Sequence, residues 1–304
     1  MKKQLLIYII TFFLICTTHI SAQVVGSGKA TVRINNKAKQ ELKNYENPFI
    51  ASDSEMFRPE VNLELPFPGG KYYALIIGIN NYTDPTLNPL DWPIRDAEMF
   101  YNTITTRYIF NKEDVTFIKD AKMADIVGAL DYFANIVRPN DNFLIFFAGH
   151  GIWDSASEIG FWLPSDARKN SKLAWFRNST LRDYLREIKS KHTLLISDAC
   201  FGGSILKTRG AFTDEVPAAI RKLYELPSRK AMTSGTLSEV PDQSAFLKYL
   251  IERLQNNTEK YLSSEQLFSS FKIAVINNSN AVPQFGEIKD VGDEGGDFIF
   301  ILKD

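Results

Sequence analysis

Three runs without a charged residue constrain this chain more than anything else in it: YYALIIGI (72–79), NFLIFFA (142–148) and TLLIS (193–197). Strict alternation would mark a sheet with one wet face. Continuous apolar runs mark strands covered on both faces, the habit of parallel sheets. Helical periodicity fills the gaps between them. Over 93–109, Ile94, Ala97, Phe100, Tyr101, Ile104 and Tyr108 share a face, and Pro93 suits a first turn. Met123, Ile126, Val127, Leu130, Phe133 and Val137 predict a second amphipathic helix, stopped by Pro139. DVTFI (114–118) and RKAMTSG (229–235) read as further strands, and DFIFIL (297–302) as a terminal one. Helices are predicted over 180–189 and 242–254, and a last one from the capping-box spacing of Ser263 and Gln266. Strands alternating with helices predict an α/β domain around a mostly parallel sheet.

A chain of 304 residues with 44% hydrophobic content can bury a sizeable core. Its formal net charge is -1 and it has no basic stripe, so nucleic acid is not an expected partner. The first residues are organised differently. MKK is a basic start, QLLIYIITFFLIC an apolar stretch, and Ala22 a small residue for cleavage. Residues 1–22 thus predict a secretory signal peptide, because the apolar stretch falls short of the roughly 20 residues of a membrane span. The expectation is an exported chain, periplasmic or secreted, with no stable membrane span after cleavage. Residues 23–70 read as a polar N-terminal extension in which TVRI and EVNLEL have strand-like alternation, and 71–304 as the folded domain. Of the two cysteines, Cys16 leaves with the signal and Cys200 stays, which excludes an intramolecular disulfide and a multi-cysteine metal site.

In a parallel α/β sheet, sites form at the carboxyl ends of the strands. His150 follows NFLIFFA and Cys200 follows TLLIS, so both are predicted at one edge. A thiol becomes a nucleophile when an imidazole takes its proton or stabilises the thiolate. His192 precedes its strand and is expected at the opposite edge, as a surface or cap residue. Gly151 offers a bare amide beside His150. With the amide of Cys200 it forms a candidate oxyanion hole. Gly202 and Gly203 allow a tight turn after the thiol.

AGHG followed 50 positions on by SDACFGG resembles the caspase-like cysteine peptidases, a family in which a histidine lies about 50 residues before an Ala-Cys pair. The resemblance extends through ALIIGINNY, IRDAEMF, GFWLPSDA and SRKAMTSG, and is nearest to the metacaspase and paracaspase side in its bacterial form. It departs from the caspase motif in having Asp198 where that motif has Gln. The resemblance implies a three-layer α/β/α sandwich with a mostly parallel central sheet of about six strands. It implies a dyad in which Cys200 attacks a peptide carbonyl and His150 exchanges protons with the thiol and the leaving amine. No metal takes part in that bond cleavage.

The same resemblance implies what the pocket accepts. The basic-specific relatives bind arginine or lysine through carboxylates that match Asp96 and Asp198, with Glu239 as a looser third match. Physically, a carboxylate two residues before a thiol opposes thiolate formation unless a cation compensates. A substrate guanidinium is such a cation, held by charge-assisted hydrogen bonds. The alternative is that Asp198 pairs with a protein arginine such as Arg95, which also leaves an acid-selecting pocket open. Protein or peptide substrates are expected, with cleavage after Arg preferred to Lys, and Lys207 and Arg209 as self-cleavage points. Calcium activation stays open: DVGDEGGD (290–297) is acidic but lacks EF-hand spacing and reads as a turn. Competing readings are a catalytically silent binding or scaffold module and a transpeptidase-type thiol enzyme. Nothing in the sequence sets the oligomeric state.

Overall fold

The computed structural model describes residues 21–25, 29–33, 70–199, 205–207, 217–235 and 243–304. The chain divides into two units, residues 1–63 and 64–304. In the first, β1 (Ser21–Val25) and β2 (Lys29–Arg33) form an antiparallel hairpin, Ser21 opposite Arg33. EVNLEL lies outside the described residues.

The second unit is built on a seven-stranded sheet. Its strands are β3 (Tyr72–Gly78), β4 (Val115–Lys119), β5 (Asn142–Ala148), β9 (His192–Asp198), β10 (Leu206–Lys207), β11 (Ser228–Thr233) and β13 (Gln284–Ile288). The spatial order is β10-β13-β11-β9-β5-β3-β4. The pairs β11–β9, β9–β5, β5–β3 and β3–β4 are parallel, and β13 and β10 run antiparallel at one edge. A short side sheet, β6 (Gly151–Asp154), β7 (Ile159–Trp162) and β8 (Phe176–Arg177), follows the histidine turn.

Both sheet faces are buried, as the uninterrupted apolar runs require. Ile76, Phe146, Ile196 and Met232 pack beneath α1 (Pro93–Arg107), α4 (Pro217–Glu225), α5 (Ala245–Asn256) and α6 (Ser264–Asn278). The alternate residues Leu75, Ile77, Phe147, Leu195 and Ala231 pack beneath α2 (Met123–Ile136) and α3 (Asn178–Glu187). This is the expected α/β/α sandwich. Helix α1 sits close because β3 ends in glycine: a Cβ on Gly78 would lie 2.8 Å from the Ile94 Cα and 2.9 Å from the Pro93 carbonyl oxygen.

The sequence reading needs correction in four places. DFIFIL does not join the central sheet. Its strand, β14 (Ile299–Ile301), pairs with β12 (Tyr261–Ser263) in a separate ribbon. Buried Asp297 turns it aside by accepting from Ser264 Oγ and, at 2.9 Å, from the Glu265 amide at the start of α6. QFGEI takes the place in the sheet instead, as β13, too short and weakly alternating to be read in advance. Helix α4 and the side sheet were also unforeseen. The fourth correction is His192. It does lie at the amino-terminal edge, level with Asn142 and Ser228, but it is fully buried rather than a surface or cap residue. Neighbouring strands flank it and the Tyr224 ring of α4 covers it at 4.5 Å. Its Nδ1 lies 2.7 Å from Asn142 Oδ1, and burial pushes its pKa down to about 3, so it stays neutral.

Residues 290–297 form the expected turn. Gly292 and Gly295 adopt φ of 85° and 90°. Asp293 accepts from the Arg229 amide at 2.7 Å, from Lys230 Nζ at 3.1 Å and from the Gly295 amide at 2.9 Å.

Candidate active site

The parallel register levels the strand ends: Gly78 is paired with Ala148, Ala148 with Asp198, and Thr233 with Ser197. His150 follows β5 by one residue, Gly149. The close fit requires glycine, since a Cβ there would lie 3.2 Å from Tyr82 Oη and 3.3 Å from Ile79 Cβ. That same Tyr82 hydroxyl accepts the His150 backbone N–H at 2.8 Å, and its ring lies 4.9 Å from the imidazole.

The imidazole is held from the far side. His150 Nε2 lies 2.8 Å from the carbonyl oxygen of Asn88. A carbonyl only accepts, so Nε2 carries the hydrogen and Nδ1 is left as the acceptor. The segment that supplies both contacts, 79–92, is tied down along its length. Asp120 Oδ1 accepts the amides of Asn80 and Asn81 at 2.8 and 2.9 Å. Asp84 accepts the Thr86 amide and the Lys169 amide, at 2.9 and 2.8 Å. The Leu90 amide donates back to the Asn80 carbonyl at 2.9 Å. Gly151 opens β6 immediately after the histidine.

The two matched carboxylates converge on this edge. Asp96 lies in the first turn of α1, whose N-terminus favours negative charge. That turn is fixed by Asn80 Oδ1, which accepts the Ile94 amide at 2.8 Å. Asp96 lines a cavity of about 320 Å³ with Trp92, Arg95, Ser244 and Lys248. Asp198 ends β9 and is buried, its Oδ1 without a hydrogen-bond partner. Burial pushes its pKa up to about 7. The hydroxyls of Ser234 and Ser244 oppose the rise, and the charge of Asp96 adds to it. Among the described residues no cation pairs with Asp198. Arg95 does not serve: its guanidinium lies over the Trp92 ring, 4.3 Å from the centroid.

Cys200, Gly202, Gly203, Arg209 and Glu239 lie outside the described residues, and Lys207 ends β10. Sequence reasoning missed Tyr82 and Asn88 as partners of the histidine, and Ser234 and Ser244 as neighbours of Asp198. Asn88 contributes a backbone carbonyl, which leaves no mark in a residue pattern.

The sandwich, the levelled strand ends and the oriented imidazole define an α/β protein with its chemistry at the carboxyl edge of the sheet. A family model described as "Caspase domain" matches residues 71–287, and the chain belongs to this family of cysteine peptidases. The chain is 28% identical over 141 residues to metacaspase-1 of Saccharomyces cerevisiae, a match covering 38% of this chain and 32% of that protein. With metacaspase-1 of Kluyveromyces lactis it shares 30% identity over 90 residues, 27% of this chain and 20% of that protein. The matches therefore span a third or less of those relatives. Among solved structures, caspase-1 of Spodoptera frugiperda has a similar fold, with a TM-score of 0.51 and 15% identity over 72% of this chain and 87% of that one. A Geobacter sulfurreducens protein does too, with a TM-score of 0.51 and 20% identity over 71% of this chain and 92% of that one.

Proposed function

We propose that the chain is an exported cysteine endopeptidase that hydrolyses peptide bonds after basic residues, Arg ahead of Lys, through Cys200 and His150. The orientation of His150 carries the reading. With Nε2 committed to the Asn88 carbonyl, Nδ1 is the nitrogen available to take a proton. Asp198, level with the residue two before His150, ends two residues before the thiol.

In this mechanism Nδ1 takes the Cys200 proton and the thiolate attacks the substrate carbonyl carbon. The carbonyl π electrons move onto oxygen, where the amides of Gly151 and Cys200 stabilise them. Collapse breaks the C–N bond, and the imidazolium returns its proton to the leaving amine. Water, deprotonated by the same imidazole, then hydrolyses the thioester. Thiol and imidazole supply the nucleophile, base and acid, so no metal enters these steps. Calcium is assigned no part in them.

The carboxylate of Asp198, with no cation paired to it among the described residues, supports the basic preference. A buried anion without an internal cation favours an incoming cationic side chain, and Asp96 adds a second charge. Glu239 is a third candidate contact. The leader over residues 1–22 supports export.

A panel of fluorogenic peptides with Arg, Lys or Asp before the scissile bond tests the reading. Arg peptides should be cleaved fastest and Cys200→Ala should abolish cleavage. Asp198→Asn should lower kcat/KM on Arg peptides by about 10²-fold, as loss of a buried charge pair does. Preference for Asp, or full activity on Arg in Asp198→Asn, would sink it.

A further inference from the structure

At the carboxyl end of β11, one strand from Asp198, the chain places a second orphaned polar group. Ser234 is 1% exposed, and its Oγ has no hydrogen-bond partner. A buried hydroxyl left unpaired costs about 1–3 kcal/mol, so its place in the core needs an explanation. Its amide donates to the Ser197 carbonyl at 3.2 Å, which continues the β11–β9 ladder one residue past Thr233. Side chains alternate along a strand, and Met232 faces the α1 and α5 layer, so Ser234 faces it too. Asp198 faces the same layer by the same count from Ile196. A hydroxyl able to donate and a carboxylate that accepts once ionised therefore stand side by side on adjacent strands, and the Ser234 hydroxyl favours the charged form of Asp198.

We propose that Ser234 is a positioning residue for the basic-specificity pocket: its hydroxyl donates to the Asp198 carboxylate and holds it charged and aimed when a cationic side chain enters. This rests on the reading of the chain as an endopeptidase that cleaves after basic residues. Of the other groups around Asp198, only Ser244 acts in the same direction. Helix α1 presents Asp96, which repels its charge, and Arg95, which is stacked on Trp92. Helix α5 brings Lys248 and Glu252 to the cavity wall, one of each sign. The turn after β5 brings His150, whose Nε2 is bound to Asn88. Ser244 acts on Asp198 as well, and its Oγ also accepts the Leu247 amide at 3.2 Å as the cap of α5, which ties that hydroxyl to the helix. Ser234 carries no such second duty.

The test is the pH dependence of kcat and KM on Arg and Lys peptides for the wild type, Ser234→Ala and Ser234→Thr. Near neutral pH, Ser234→Ala should raise KM for both peptides about tenfold and leave kcat nearly unchanged. The acid limb of its kcat/KM profile should move up by about one pH unit. At about pH 9, where Asp198 ionises without help, most of the loss should disappear. Ser234→Thr, which keeps the hydroxyl, should retain the wild-type limb. Comparing two pH values within one sample removes any difference in folded fraction, and Ser234→Cys, of similar size and a weak donor, replaces the alanine variant if that does not fold. A loss equal at every pH, a loss in kcat alone, or an unmoved limb overturns the role of Ser234 and leaves the basic preference standing. A wild type that does not cleave after Arg or Lys overturns both.

Discussion

Two aspartates in this chain show how position in the sheet sets the character of a residue. Asp120 is satisfied by backbone amides and fixes a loop. Asp198 ends a central strand, buried and with its Oδ1 unpartnered. Its carboxyl titrates near 7 against an ordinary 3.8 because burial penalises the charge. The folded chain therefore holds this proton over a range where the unfolded chain has released it. The stabilisation is fully present below pH 3.8 and is lost as pH rises through about 7. Thermal unfolding in a Cys200→Ala background should show the melting temperature falling more steeply from about pH 4.5 to about pH 8 than in the same background carrying Asp198→Asn. Equal slopes would remove Asp198 from this account. The same proton opposes binding of a cation, so occupancy by an arginine side chain should be favoured above that range.

At the scale of elements, the site depends on how closely α1 approaches β3. Gly78 has no room for a Cβ against Ile94 and Pro93, and both obstacles are backbone. Gly78→Ala should cost about 1–3 kcal/mol in urea unfolding, and should raise KM more than kcat by displacing the turn that carries Asp96. Unchanged stability would show that α1 can shift freely. Much of this arrangement was legible in the chain. Apolar runs longer than any alternation located β3, β5 and β9, and their ends located His150 and Asp198. The legible part was what depends on burial. The remainder depends on partners remote in sequence. DFIFIL has the composition of a sheet strand, yet Asp297 binds it to α6 and sends it to a ribbon. The orientation of His150 rests on a main-chain carbonyl. His192 was placed at the correct edge and in the wrong environment, because only α4, itself unforeseen, shows what covers it.

On the scale of the whole molecule, the parallel sheet separates a chemical edge from a structural one. Five strands run in one direction, and the helices on both faces bury β3, β5 and β9 along their whole length. At the carboxyl edge, polar groups are left incomplete: Asp198 Oδ1 and Ser234 Oγ have no partner. At the amino edge, Arg229 donates to the carbonyls of Ser190, Lys191 and Ser228 at 2.8, 3.1 and 2.7 Å, closing the strand ends.

The placement of His150 and His192 gives the protein an internal control for imidazole reactivity. They stand on adjacent strands at opposite ends, one partly exposed and one fully enclosed. Diethylpyrocarbonate acylates accessible neutral imidazoles. Peptide mapping after treatment near pH 6.5 should find His150 modified and His192 untouched while the chain is folded, and both modified once it is denatured. The ratio of the two adducts would report how much of a preparation holds an assembled site, with no substrate required.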